Sequence, residues 1–360
     1  MTKVLLTGGS GFIAAHILEQ LLAKGHHVVT TVRSEAKAAP IRAAYPDKSP
    51  EELTIAIVPD IAQPSAFDEV VKIPGIEVVL HTASPFHFKF TELIDPAVLG
   101  TTSILSAITR SAPTVRRVVI TSSFAAIMDE SLITSPTTTF SESSWNPVTL
   151  ADIHRSPATA ELQEPKPQLL NISLNPPLTH LLYRASKTLA EGAAWAFVAT
   201  HQPKFDLATI NPPMVFGPVA HHLESVEGIN TSNERLVSLV RGGWKDGVPD
   251  TGAAIIWVDV RDVAEAHVKA GLEVAEAGGR RLFTTAGTFS NREMAEIVRR
   301  RFPELGDKVP GPEVEGGELP GEGERFKFNN EETTRVLGIR WRGLEESVVD
   351  TVKSLLALGA

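Results

Sequence analysis

An apolar run of strand length, Val4-Leu5-Leu6-Thr7, breaks at Gly8-Gly9-Ser10-Gly11, and a helical pattern of Phe12, Ile13, Ile17, Leu18, Leu21 and Leu22 begins at once. Strand, tight turn and helix therefore follow one another without a linker. Gly9-x-Gly11-x-x-Ala14 fits the dinucleotide fingerprint with Ala in its third place. One small residue turns the chain, a second lets backbone N–H groups approach a pyrophosphate, and the third packs helix on strand. The start of the helix adds unpaired N–H donors and a partial positive charge for phosphates. Glycine-rich turns also serve plain geometry, so the weight of this one comes from its place between a strand and a helix.

Which dinucleotide the turn suits is legible one strand later. His27-Val28-Val29-Thr30-Thr31-Val32 reads as a second strand, ending at Arg33-Ser34-Glu35-Ala36-Lys37. A site for NAD places Asp or Glu near this strand end to bind the ribose 2'-hydroxyl, whereas a 2'-phosphate needs a cation. The strand itself carries no carboxylate. Arg33, with Lys37 one helical turn on, suits NADPH; the plainer alternative makes both of them solvated surface cations.

Strand patterns recur at 53–58, 78–81 and 115–120, and a helical one spans roughly 93–110. This alternation gives an α/β fold, a Rossmann-type doubly wound parallel sheet. Ligands in such sheets sit at the C-terminal ends of the strands, so Thr7, Arg33, Asp60, Thr82 and Ser123 are expected along one edge. Asp60 either accepts from an adenine amino group or caps the next turn. His81 ends a buried strand and reads as a satisfied core residue rather than a base or a metal ligand.

Between Ser131 and Leu182 seven prolines interrupt the pattern, which reads as a long surface excursion. Helical spacing resumes through Leu178, Leu181, Leu182, Tyr183, Leu189, Ala193 and Phe197, and a sixth strand at 205–210 runs into Asn211-Pro212-Pro213-Met214-Val215-Phe216-Gly217-Pro218. A short helix is expected near 233–241. Beyond it come a strand at 254–258, a helix capped by Asp259, a strand at 281–285, a helix at 291–301 and a last helix from Leu344 to Leu356. The stretch from Pro303 to Arg325, rich in Gly, Pro and Glu, reads as a mobile connection.

Composition narrows the field mainly by exclusion. With 34 Lys+Arg against 43 Asp+Glu the formal net charge is -9, which offers no broad basic surface to nucleic acid or an anionic membrane. The absence of cysteine removes disulfides and thiolate catalysis. No signal-peptide pattern and no run of transmembrane length is found, so a cytoplasmic location is expected. His221-His222-x-Glu224 lacks a third spaced ligand and reads as solvated loop, so no metal is expected. No Walker lysine follows the glycines, and Gly9-Ser10-Gly11 is not a nucleophile elbow.

Chemistry concentrates at Tyr183-Arg184-Ala185-Ser186-Lys187, where Tyr and Lys stand four residues apart on one helix face. A free tyrosine ionises near pKa ~10, so proton transfer near neutrality asks for roughly 3 to 4 kcal/mol of help. A neighbouring lysine cation stabilises the phenolate, and an oxidised nicotinamide, also positive, would add to it. Ser123, at the end of the central strand, would hold the substrate oxygen. Together these make an acid, its tuner and an orienting group beside a hydride carrier. An amphipathic helix that happens to carry Tyr and Lys is the bland alternative, but Tyr183 is one of only two tyrosines and coincides with the other signals.

Thr7-Gly8-Gly9-Ser10-Gly11-Phe12-Ile13-Ala14, His81-Thr82-Ala83-Ser84-Pro85-Phe86, Thr121-Ser122-Ser123, Tyr183-x-x-x-Lys187, Asn211 to Pro218 and Val258-Asp259-Val260-Arg261-Asp262-Val263-Ala264 resemble the extended short-chain dehydrogenase/reductases. The resemblance spans nearly the whole chain and is strongest to the dihydroflavonol-reductase-like branch, with its fungal aldehyde, ketone and methylglyoxal-type reductases. It implies that Gly8, Gly11, Phe12 and Ile13 line the pyrophosphate, that Arg33 and Lys37 hold the 2'-phosphate, and that Asp60 and Ile61 flank the adenine. Thr82, Ala83 and Ser84 would line the inner ribose. Tyr183 and Lys187 would meet the nicotinamide ribose, and Pro212 to Val215 the nicotinamide. Phe86, Phe124 and Met214 would wall an apolar substrate pocket. Two departures stand out: the stretch from Ser123 to Tyr183 is longer than the family leads one to expect, and Leu181-Leu182 lacks the aromatic and cysteine pattern of cinnamoyl-CoA reductases.

The resulting expectation is an NADPH-dependent carbonyl reductase acting on a small molecule, as a monomer or a homodimer. Residues 1–211 form the NADP-binding domain with its 131–182 excursion, and 212–360 a smaller substrate domain from which about 254–275 returns to the first. An NAD-dependent nucleotide-sugar epimerase or dehydratase is the rival on the same fold, and it expects an acid where Arg33 stands. A non-catalytic NADP-sensing regulator is the third reading.

Overall fold

The computed structural model describes residues 1–84, 94–155, 176–220 and 226–360. In chain order its first half contains β1 (Lys3–Thr7), α1 (Phe12–Ala23), β2 (His27–Val32), α2 (Glu35–Ala44), β3 (Leu53–Ile57), β4 (Ile76–His81), α3 (Ile94–Ser111), β5 (Arg117–Thr121), β6 (Thr139–Phe140) and α4 (Leu150–Arg155). The second half adds α5 (Pro176–His201), β7 (Asp206–Ile210), β8 (Met214–Phe216), α6 (Glu234–Val240), β9 (Ile256–Asp259), α7 (Val260–Val268) and β10 (Arg280–Leu282). It closes with β11 (Gly287–Thr288), α8 (Asn291–Arg301), β12 (Lys327–Phe328), α9 (Glu331–Leu337) and α10 (Leu344–Ala357).

Seven strands pair in the order β10-β7-β5-β4-β1-β2-β3, all parallel. From β1 the chain winds outward through β2 and β3 and then returns to β4 on the other side. The strand order therefore reverses between β1 and β4, where Thr7 pairs with His81. Such a switch point opens a crevice at the strands' C-terminal ends. Because helices cover both faces, the strands are apolar on both sides, as a parallel sheet requires. Leu5, Val29, Val79, Val118 and Leu207 face a core closed by α3 and the far part of α5. Their neighbours Leu6, Val28, Val78, Val119 and Ala208 face a second layer with α1 and α7.

A smaller lobe is built on the three-stranded sheet β11-β9-β8, flanked by α6, α8 and α10. Its core holds Phe216, Trp257, Phe289, Leu236, Val348 and Leu355, so the last helix docks where its apolar spacing predicts. Asp259 caps α7, its carboxylate accepting from the Arg261 N–H at 2.8 Å. The part that returns to the large sheet runs further than residue 275. β10 pairs with β7, and Val336, Leu337 and Ile339 join the layer beneath α1.

Two sequence expectations change. The excursion after residue 131 is anchored as far as α4, because β6 pairs in parallel with β12 and Phe140 enters an aromatic cluster with Phe124, Phe283 and Phe326; residues 156–175 lie outside the described residues. The stretch 303–325 is not a loose connection. The Val248 N–H donates to Glu315 O, the Arg292 N–H to Gly317 O, and Leu305 and Val309 are buried in the smaller lobe's core. Backbone groups do most of this tethering, so side-chain composition could not reveal it. Among the described residues no helix is long and apolar enough to cross a membrane.

Candidate active site

The glycine turn is held by the strands on either side of it. The Gly8 N–H lies 3.3 Å from Thr31 Oγ1, the Gly9 N–H donates to Thr31 O at 2.8 Å, and the Gly11 N–H donates back to Gly8 O at 2.8 Å. Gly8 adopts φ +73°, and a Cβ there would stand 2.9 Å from Ala83 Cα. The turn thus presses against the segment leaving β4, which only a residue lacking Cβ permits. No side chain caps α1, and the first bond of the helix runs from the Ala15 N–H to Gly11 O at 3.0 Å. The N–H groups of Phe12 and Ile13 are therefore left facing the crevice, a set of donors suited to a pyrophosphate.

His81 braces this arrangement from beneath. Its Nδ1 lies 2.8 Å from Thr7 Oγ1, which accepts from the Ala83 N–H at 3.1 Å, while Thr82 Oγ1 donates to Thr7 O at 2.6 Å. Burial lowers the His81 pKa to about 3, so it stays neutral and serves as the core residue the sequence suggests.

Arg33, directly after β2, and Lys37, in the first turn of α2, are exposed and have no carboxylate partner among the described residues. Glu35, the nearest acid in sequence, is bound by Arg42 through both its oxygens, and that hydrogen-bonded pairing holds its carboxyl below the ordinary range. The two free cations next to an occupied acid fit a 2'-phosphate. Asp60 closes its own turn, accepting from the Ala62 N–H at 2.9 Å and Gln63 Nε2 at 2.8 Å, and Ile61 rests against Gly100 on α3.

Ser123 begins a short 3-10 turn, Phe124–Ala126, at the end of β5 and is 8% exposed. Its Oγ accepts from the Ala125 N–H at 3.1 Å, which leaves its own hydrogen free to donate. Helix α5 packs along this turn and carries Tyr183, 39% exposed, on its open side. One turn on, Lys187 Nζ reaches to 3.5 Å from Ser84 Oγ, beside the glycine turn. The Pro212 carbonyl accepts from the Phe124 N–H at 2.8 Å, and Val215 is buried with its N–H held by Ser232 Oγ at 3.1 Å. Met214 is half-buried at the start of β8. The Phe124 ring, next to Ser123, is 6% exposed and stacked on Phe283 at 5.3 Å in the aromatic cluster. Phe86 and the His221-His222-x-Glu224 stretch lie outside the described residues.

Sequence reading passed over one buried cluster behind Ser123. Glu191, Arg281 and Asn211 form it, and its only advance signal was the position of Glu191 four residues beyond Lys187 on the same helix face.

The uncapped helix at a strand-order switch point, with the Tyr183 helix lying along the Ser123 turn, defines an extended short-chain dehydrogenase/reductase; the chain belongs to this group, the NAD dependent epimerase/dehydratase family, whose model matches residues 4–149. Within it the chain is 41% identical over 361 residues to the ketoreductase azaE of Aspergillus niger, covering 98% of this chain and 97% of that one. It is 33% identical over 368 residues to the NADPH-dependent methylglyoxal reductase GRE2 of Saccharomyces cerevisiae, covering 98% of each. The crystal structure of Gre2 from Candida albicans in complex with NADPH superposes over 100% of both chains with a TM-score of 0.83 at 34% identity.

Proposed function

We propose that this chain is an NADPH-dependent carbonyl reductase that converts a small aldehyde or ketone to an alcohol. The observation that carries the reading is the approach of Lys187 Nζ to within 3.5 Å of Ser84 Oγ. It brings the helix bearing Tyr183 to the loop that packs on Gly8, so proton donor and dinucleotide cradle share one edge of the sheet. The reductase and NADPH named for the relatives above support the same activity here.

Bound NADPH supplies the hydride. Around it, the open N–H groups of Phe12 and Ile13 with the Gly8 to Gly11 turn take the pyrophosphate, and Arg33 with Lys37 takes the 2'-phosphate. Asp60 and Ile61 flank the adenine, Thr82 to Ser84 the inner ribose, and Pro212 with Val215 the nicotinamide. Tyr183 and Lys187 share the nicotinamide ribose, and Met214 borders the substrate. The free hydrogen of Ser123 donates to the carbonyl oxygen and fixes its direction. As negative charge grows on that oxygen, the Tyr183 hydroxyl transfers its proton to it. The Lys187 cation then stabilises the phenolate left behind.

Arg33 makes the cofactor preference testable. Turnover followed through cofactor absorbance with NADPH and NADH in parallel, against aldehydes, ketones, diketones and β-keto esters, should proceed with NADPH and be weak with NADH. Replacing Arg33 by Ser should raise the KM for NADPH about 10-fold or more and leave NADH unaffected, since a charge-assisted phosphate contact contributes roughly 1.5 to 3 kcal/mol. Equal rates with both cofactors in the unaltered enzyme would contradict the assignment of Arg33.

A further inference from the structure

A fully enclosed carboxylate stands behind the reacting groups. Glu191 follows Lys187 by one helical turn and Tyr183 by two, on the same face of α5, and its side chain has no exposed surface. Ser122 Oγ donates to one carboxylate oxygen, as does Asn211 Nδ2 at 2.7 Å. Arg281 Nε donates to the other at 2.6 Å, joined there by Trp195 Nε1 at 3.2 Å. A single arginine suffices to neutralise a buried acid. The additional donors give this one a geometric role.

Those donors belong to the segments that shape the site. Ser122 immediately precedes Ser123. The Asn211 amide that binds Glu191 also donates to Ser123 O at 3.2 Å. Arg281, on β10, turns its remaining N–H groups to the carbonyls of Ala126 at 3.1 Å and Glu142 at 3.0 Å, and Trp145 stacks on its guanidinium at 3.7 Å. One carboxylate thus joins α5 to the ends of β5 and β7, to β10, and through Arg281 to the far end of the turn that Ser123 begins.

We propose that Glu191 is a positioning residue for the reduction: it sets the separation of Ser123 from the Tyr183–Lys187 face of α5 without touching substrate or cofactor. The proposal rests on the assignment of Ser123, Tyr183 and Lys187 given above. A carboxylate is required because both of its oxygens accept. A glutamine at this place would present an NH2 group to one of the two sets of donors. Misplacement of reacting groups by about 1 Å costs on the order of 100-fold in rate.

Four variants test it: Glu191→Gln, the double variant Glu191→Gln with Arg281→Gln, Ser122→Ala, and Tyr183→Phe. For each, kcat is normalised to NADPH-binding sites, and the NADPH Kd, the substrate KM and Tm are recorded. Glu191→Gln should lower kcat roughly 10- to 100-fold while the NADPH Kd stays within about twofold. The double variant removes the stranded guanidinium charge and should regain Tm but not kcat, the outcome a merely structural ion pair would not give. Ser122→Ala, which removes one donor from the buried carboxylate, should lower kcat several-fold while the NADPH Kd stays within about twofold. A kcat within about twofold of the parent in Glu191→Gln, or one that returns with Tm in the double variant, overturns the proposal. If neither Glu191 variant folds, an unchanged kcat in Ser122→Ala overturns it. Tyr183→Phe keeps the two failures apart, because normal turnover there would remove the assignment of the acid itself.

Discussion

His81 and His267 are enclosed side chains that the fold keeps neutral. Burial, with the Lys187 cation adding to it, lowers His81 to about 3, and burial lowers His267 to about 4 even though the Val263 carbonyl accepts from its Nδ1–H at 2.8 Å. With that proton placed, His267 Nε2 accepts from Thr121 Oγ1 at 2.7 Å, one residue before Ser122. Asp262 moves the other way: burial raises it to about 6 although Arg342 pairs with it and donates its own N–H at 2.7 Å. The signs follow from which state binds the proton first. Unfolded histidine protonates near ~6.5 while the folded residues resist, so each histidine removes about 1.4 kcal/mol of stability per pH unit as the pH falls below that value. Folded Asp262 protonates earlier than its unfolded form and returns about 1.4 kcal/mol per unit over roughly pH 6 to 4. Asp262→Asn deletes this offset. Urea unfolding across that window should show a loss of stability steeper by about 1.4 kcal/mol per pH unit in the variant than in the parent, and equal slopes would contradict the burial argument.

At the scale of elements, the segment before β12 is the sharpest case. Gly316 and Gly317 have φ of +102° and +73°, and a Cβ on Gly317 would stand 2.3 Å from Val248 Cγ1. If the segment is part of the fold, Gly317→Ala should destabilise the protein by about 1 to 3 kcal/mol in denaturant unfolding. A neutral result is what a loose tether would give. The contrast with the rest of the chain shows what a sequence discloses. The strands of the large sheet, α1, α8 and the docking of α10 could be read directly, because apolar periodicity and glycine placement state them. The pairs β6–β12 and β8–β9 could not, being two- and three-residue contacts between segments far apart in the chain. The cradle and the Tyr183–Lys187 spacing were legible because each is a local pattern. Glu191 was hidden because its meaning depends on Ser122, Asn211 and Arg281 arriving from three different strands. The aromatic neighbours of Phe124 were hidden for the same reason: nothing nearby in sequence announces Phe283 and Phe326.

On the scale of the molecule, the helix after the glycine turn also reaches segments far along the chain. His16 Nε2 lies 2.9 Å from Pro218 O, Gln20 Nε2 donates to Arg261 O at 2.9 Å, and the inner face of α1 packs on α7. The helix that follows the glycine turn is thus tied directly to the segment after β8. The whole arrangement serves one event, hydride delivery to a carbonyl whose oxygen is protonated at the same edge of the sheet. Tyr183→Phe tests this most directly, because it removes one hydroxyl and keeps the ring, the helix and the dinucleotide cradle. With NADPH and the best carbonyl substrate, the account predicts that kcat falls roughly 100- to 10,000-fold, the contribution expected of a positioned general acid, while NADPH binding measured on the same sample is retained. Near-normal turnover by that variant would contradict it.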